Sequence, residues 1–173
     1  MNRIVFFDRD GVLNVDIGYL WRKEDFVWMG GAVETIRGFN ERGWRVVVVT
    51  NQSGIARGYY QEADVLALHQ WMNDELARRG AHIDAFYYCP HYPQASRPEY
   101  AVVCDCRKPQ PGMILRGLTD WQAEPAGCIL IGDKEFDVQA ATAAGIKGYL
   151  FEGENLLEFV QNHIAEVAET IKK

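Results

Sequence analysis

The chain has 173 residues, 48% of them hydrophobic and 24% charged, with a formal net charge of −6. That length fits one domain spanning 1–173 with a real core, and any cover over an active site is limited to loops. An acidic chain lacks the clustered Lys and Arg that polyanions require, which sets nucleic acid aside as a partner, and no apolar run approaches the ~20 residues of a membrane span. The opening run Ile4-Val5-Phe6-Phe7 reaches Asp8 too soon for a signal peptide. A cytoplasmic monomer with reduced thiols is the expectation.

Ile4 to Phe7 is a short, wholly apolar strand. Ala32 to Arg42 reads as a helix with Val33, Ile36 and Phe39 on one face and Gly43 as the stop. Arg45 to Val49 is a second strand. Gln61 to Arg79 is a long amphipathic helix, with Val65, Leu68, Met72 and Leu76 on its stripe and His69 on the flank beside them. Ile83 to Cys89 is an aromatic-rich third strand. From Pro90 to Pro111 periodicity gives way to prolines and polar residues, a loop long enough to imply a function or a pin. A helix from Pro111 to about Trp121, a strand from Cys128 to Ile131, a helix from Phe136 to Ala144, a strand from Gly148 to Phe151 and a helix from Leu156 to Ile171 complete the chain. Cys128 reads as a small core residue.

Continuous apolar strands separated by helices predict an α/β fold: a Rossmann-like open parallel sheet with helices on both faces and no cap domain. Ligands in such sheets bind beyond the carboxyl ends of the strands. Three strands end at a polar residue, namely Asp8, Thr50 and Asp133, and neighbouring strands would bring these to one edge.

Asp8 and Asp10 sit two residues apart where the chain turns off the first strand, and Gly11 permits the turn. With Asp133 and Asp137 they would form a dense anionic pocket, which calls for a cation. Hard oxygen ligands select Mg2+. Phosphoryl transfer follows from this set. Asp8 would attack phosphorus, Asp10 would act as acid and base, and Thr50 and Lys108 would hold the phosphate oxygens.

A strand ending in Asp8-Arg9-Asp10-Gly11-Val12, then Thr50-Asn51, Lys108-Pro109 and Gly132-Asp133-Lys134-Glu135-Phe136-Asp137, resembles the four motifs of the haloacid dehalogenase superfamily of phosphohydrolases, over essentially the whole chain. The resemblance implies a nucleophile at Asp8, an acid/base at Asp10, and Mg2+ on Asp8, Asp10 (through its backbone carbonyl) and Asp133. Val12 stands where the family often has Thr.

A second constellation lies in 89–106. Cys89-x-His91, twelve residues, then Cys104-x-Cys106 offer three thiolates and an imidazole, a set that suits tetrahedral Zn2+. Four protein ligands close the coordination sphere, so such a zinc would be structural and would fix the adjoining Arg107 and Lys108. This loop and the Cys106-Arg107-Lys108-Pro109 run that ends it are similar to the D-glycero-D-manno-heptose 1,7-bisphosphate phosphatases, whose cousins are the histidinol-phosphate phosphatases. Thr50-Asn51-Gln52-Ser53-Gly54-Ile55-Ala56-Arg57-Gly58 favours the heptose enzymes. The resemblance implies removal of a C7 phosphate from a small phosphorylated sugar on the route to lipopolysaccharide heptose. It implies substrate contacts at Asp16, Ile17, Gly18, Tyr19, Thr50, Asn51, Gln52, Ser53, Arg107, Lys108 and Lys134.

Overall fold

The computed structural model describes residues 2–165. Its elements in chain order are β1 (Ile4–Phe7), α1 (Ala32–Glu41), β2 (Arg45–Asn51), α2 (Glu62–Ala77), β3 (Ala85–Cys89), α3 (Gly112–Asp120), β4 (Ile129–Gly132), α4 (Glu135–Ala143), β5 (Lys147–Leu150) and α5 (Leu156–His163). The five strands form one parallel sheet in the order β3-β2-β1-β4-β5.

Side chains alternate across each strand, so the apolar runs feed two cores. Val5, Phe7, Val46, Val48 and Ile131 pack on one face with Val33, Ile36 and Phe39 of α1, Met72 and Leu76 of α2, and Leu156 and Val160 of α5. Ile4, Phe6, Val47, Val49 and Leu130 pack on the other with Ile114 and Leu118 of α3 and Ala140 and Ala141 of α4. Cys128 lies in this second core, as its sequence setting implies.

The predicted elements are all present, with shifted ends. β2 runs on to Asn51, because Thr50 and Asn51 still pair with Tyr88 and Cys89. β3 begins at Ala85 rather than Ile83, and the Asp84 carboxylate there accepts the Val46 N–H at 2.8 Å, where a strand would offer a backbone carbonyl. α5 is described to His163, and the predicted continuation over 166–171 lies outside the described residues.

The order reverses between β1 and β4, both of which connect onward to opposite sides of the sheet. That is the crevice in which open parallel sheets bind ligands. The sheet therefore delivers the ends of β2, β1 and β4 side by side.

Candidate active site

A cavity of about 400 Å³ opens at this edge. Asp8, Asp10, Asp133 and Lys108 line it, with Asp16, Gly18 and Tyr19 from the loop after β1, Asn51, Gln52 and Ser53 from the end of β2, and Lys134 from the start of α4. Tyr60 and Phe136 also line it, although nothing in the sequence pattern singled them out. Three predicted site residues stand back from the lining. Thr50 is fully buried and its Oγ1 accepts a hydrogen bond from Gln52 Nε2 at 2.9 Å. Ile17 is 54% exposed. Arg107 lies over the Tyr92 ring, 5.2 Å from its centroid.

Asp8, Asp133 and Asp137 bring carboxylate oxygens within 4.8 Å of one another. Lys108 sits among them. Its Nζ donates to Asp8 Oδ1 at 2.9 Å and to the Val49 carbonyl at 2.8 Å, and pairs with Asp137 Oδ1 at 2.7 Å. Burial pushes the Asp8 carboxyl well above its ordinary range, against the pull of Lys108. Burial raises Asp133 as well. Burial opposes the charge of Lys108, but Asp8 and Asp137 more than offset it and hold the ammonium above the ordinary lysine value.

The trio fits a hard divalent cation. Asp133 Oδ1 is buried with no hydrogen-bond partner, and one ammonium cannot neutralise three acids. Two glycines permit the crowding. A Cβ on Gly11, whose φ is +87°, would stand 2.1 Å from Asp133 Oδ2, and one on Gly132 would stand 2.3 Å from the Asp137 Cβ. Asp137 is fully buried and its Oδ2 also accepts the Lys134 N–H at 3.0 Å, fixing the first turn of α4.

Asp10 is not in the trio. Its carboxylate turns toward Arg9, whose NH2 lies 3.2 Å from both oxygens, and accepts from Asn14 Nδ2 at 3.0 Å and Gln52 Nε2 at 3.1 Å. Any contribution of Asp10 to a cation in this arrangement falls to its backbone carbonyl. Tyr60 Oη donates to Gln52 Oε1, which leaves the Gln52 amide aimed at Asp10. Arg9, Asn14 and Tyr60 went unassigned in the sequence reading. Arg9 stands in the sequence as a cation lodged between two aspartates.

His69 also differs from expectation. It is not a flank residue but is 4% exposed, and its Nε2 faces Arg9 NH1 at 3.2 Å. Burial, and then the Arg9 charge, hold its pKa well below the ordinary histidine value.

Cys89, His91, Cys104 and Cys106 converge at the end of β3, with all four ligand atoms within 4.8 Å of one another. Cys89 Sγ lies 3.0 Å from Cys106 and 3.6 Å from Cys104, and His91 Nδ1 lies 3.3 Å from Cys106. Tetrahedral thiolates ~2.3 Å from a metal stand roughly 3.8 Å apart, so the cluster has the dimensions of a metal site. Two links tie it to the cavity. Asn51 accepts the Lys108 N–H at 3.0 Å and donates to the Lys108 carbonyl at 3.2 Å, and Arg107 donates its N–H to Cys104 Sγ at 3.4 Å.

A HAD-hydrolase-like family model matches residues 105–170. The D-glycero-beta-D-manno-heptose-1,7-bisphosphate 7-phosphatase of Rhodopseudomonas palustris is 46% identical over 162 residues, covering 94% of this chain and 90% of that one. The enzyme of the same name from Escherichia coli is 42% identical over 178 residues, covering 98% and 93%. The chain belongs to this phosphatase family. A crystal structure of a family relative, the D,D-heptose 1,7-bisphosphate phosphatase from B. bronchiseptica complexed with magnesium and phosphate, matches with a TM-score of 0.78 at 33% identity, over 95% of this chain and 88% of that one. Membership in the heptose bisphosphate phosphatase family agrees with the parallel sheet and with acids grouped at the ends of β1 and β4.

Proposed function

We propose that the chain removes the C7 phosphate of D-glycero-beta-D-manno-heptose 1,7-bisphosphate through an aspartyl-phosphate on Asp8. The observation that carries this reading is the buried Asp8–Lys108 pair at 2.9 Å on the cavity wall beside the orphaned Asp133 oxygen. Asp8 and Asp133 by carboxylate, and Asp10 by its backbone carbonyl, would hold Mg2+, which supplies the positive charge that lets an anionic phosphate approach.

Asp8 attacks phosphorus in line with the leaving O7, and the P–O7 bond breaks as the Asp8–phosphorus bond forms. Asp10 gives its proton to O7 and later takes one from the water that cleaves the acyl phosphate. Lys108 holds the phosphate oxygens while charge spreads over them, and Thr50, buried behind the lining, positions Gln52. Asp16 to Tyr19 and Asn51 to Ser53 shape the sugar site. Arg107 and Lys134 supply charge for the second phosphate. The domain runs over 1–173 as a cytoplasmic monomer, with 89–106 as its metal loop.

A substrate panel tests the assignment. We expect kcat/KM for the heptose bisphosphate to exceed that for histidinol phosphate by on the order of 10²-fold, the effect of losing charge-assisted hydrogen bonds to one phosphate. The opposite ranking would move the chain to the histidinol-phosphate relatives.

The metal of the cysteine cluster is Zn2+ in this reading, because three thiolates and one imidazole favour it over harder ions. Metal analysis is expected to find one zinc per chain. Cys106→Ser is expected to lose it and to lose activity by 10-fold or more, since outer supports of a site are commonly worth ~10–100-fold. The route is structural: Cys106 leads directly into Arg107 and Lys108, and Asn51 holds the Lys108 peptide from the other side. Full activity without zinc would separate the loop from the site.

A further inference from the structure

Arg9 is the largest fully buried side chain among the described residues, and its charge needs a purpose. Its guanidinium meets three partners. NH2 reaches Asp10 on the loop after β1 and the Leu20 carbonyl at 2.9 Å, where the Asp16 to Tyr19 segment ends, and NH1 meets His69 of α2. One NH2 group shared at 3.2 Å between both Asp10 oxygens sets little direction by itself. Because a guanidinium is planar, fixing NH1 fixes the direction of NH2. His69 and the Leu20 carbonyl therefore aim the fork together, and His69 is the side chain of the two.

Arg9 can only donate, so His69 must accept at Nε2 and carry its proton on Nδ1. That Nδ1 is buried without a partner. The ring is held flat against Phe86 of β3, with centroids 4.3 Å apart and planes 13° apart. For packing alone a leucine or methionine would serve better, since it would leave no unpaired polar atom. The histidine makes sense as an acceptor placed for Arg9.

We infer that His69 is a positioning residue for proton transfer, holding through Arg9 the orientation from which the Asp10 carboxyl reaches the leaving oxygen; this rests on the reading of Asp10 as the acid/base. The reaction itself is unchanged. The proton still passes from Asp10 to the departing alkoxide oxygen, and no new bond is made to His69 or Arg9.

The first test needs no turnover. Nitrogen NMR of His69 in magnesium-free protein is expected to show a neutral ring protonated on Nδ1 at neutral pH. A proton on Nε2 would overturn the inference. The second test uses leaving groups. His69→Leu is expected to lower kcat/KM for the heptose bisphosphate by about 10–100-fold, part of what a general acid contributes. With p-nitrophenyl phosphate, whose leaving group departs without a proton, the loss is expected to stay under about threefold. His69→Gln, which keeps an acceptor, should hold both rates near wild type, and a selective loss in it equal to that of His69→Leu would overturn the inference. Arg9→Lys, which keeps the charge but cannot span three partners, should show the same selectivity as His69→Leu, and stands in for it should that variant fail to fold. Equal losses on both substrates, or none, would reduce His69 to a packing residue. Asp10→Asn is the reference. If it shows the selectivity and His69→Leu does not, only the inference falls. If Asp10→Asn lacks it, the acid assignment is wrong, and the inference goes with it.

Discussion

Asp8→Asn is expected to abolish turnover while leaving the protein folded. Loss of a covalent nucleophile lowers kcat by on the order of 10⁴-fold or more, because binding and the remaining donors supply only a residual acceleration. The fold should tolerate the change. Burial already disfavours the Asp8 charge, and Asp137 and Asp10 disfavour it further. A neutral amide removes that penalty, and Lys108 keeps Asp137 and the Val49 carbonyl as acceptors. The magnesium-free melting temperature should therefore not fall below that of wild type. The chemical half of the claim has its own readout: acid-quenched wild-type enzyme, sampled during turnover, should carry phosphate on Asp8 as an acyl phosphate. Asp8→Asn retaining more than about 1% of wild-type kcat, or wild type never trapping phosphate at that side chain, would remove Asp8 from the mechanism.

The centre of the sheet was legible in the sequence because β1, β4 and the valine run of β2 are short, apolar and followed by a polar residue. Asp8, Thr50 and Asp133 mark strand ends, and parallel topology turns three such ends into one edge. The Cys/His cluster was legible from its ligand types, its spacing and the proline-rich loop around it, and the four ligand atoms do converge. What remained hidden depends on how distant segments meet. Asp10 and Asp137 look alike in the sequence, yet the fold gives Asp10 to Arg9, Asn14 and Gln52 and gives Asp137 to Lys108. His69 lies one position off an apolar stripe, which suggests a flank. Its burial comes from Phe86 on β3 and from Arg9, which lie 17 and 60 residues away in sequence. Tyr60 acts on Asp10 only by way of Gln52, a relation that no local pattern records.

The cysteine cluster and the cavity at the end of β1 are joined through Asn51 and the Lys108 peptide. β3 is an edge strand, so its end is paired on one side only. The loop that leaves it has no repeating apolar face to anchor it. A cluster at Cys89 closes that loop onto the sheet beside Asn51, its partner in the β2–β3 register. Asn51 then grips the Lys108 peptide through both its N–H and its carbonyl. Lys108 is 100 residues from Asp8 in sequence, and these contacts are what bring its ammonium to the end of β1.

Lys108→Met is accordingly expected to damage stability and catalysis together. The ammonium meets three acceptors, Asp8, Asp137 and the Val49 carbonyl, and only 3% of the residue is exposed. Methionine fills the space but leaves two carboxylates and a carbonyl facing an apolar group. Removing one partner of a buried ion pair destabilises by about 3–5 kcal/mol, because the remaining charge is stranded. Unfolding in magnesium-free buffer should show a loss of this size. Added magnesium should restore part of it and raise the melting temperature of the variant more than that of wild type, since a cation bound only by the folded state replaces the missing charge. Catalysis should not be restored. Loss of a donor aimed at developing charge lowers kcat by about 10²–10³-fold, and a bare cation supplies no N–H donor such as the one Nζ directs from its seat on the Val49 carbonyl. A variant rescued in both respects by magnesium would show that Lys108 serves only to neutralise its neighbours. A variant as stable as wild type without magnesium would mean that the Lys108 charge is not needed to balance its neighbours, and the picture of an ion pair at the end of β1 would have to be given up.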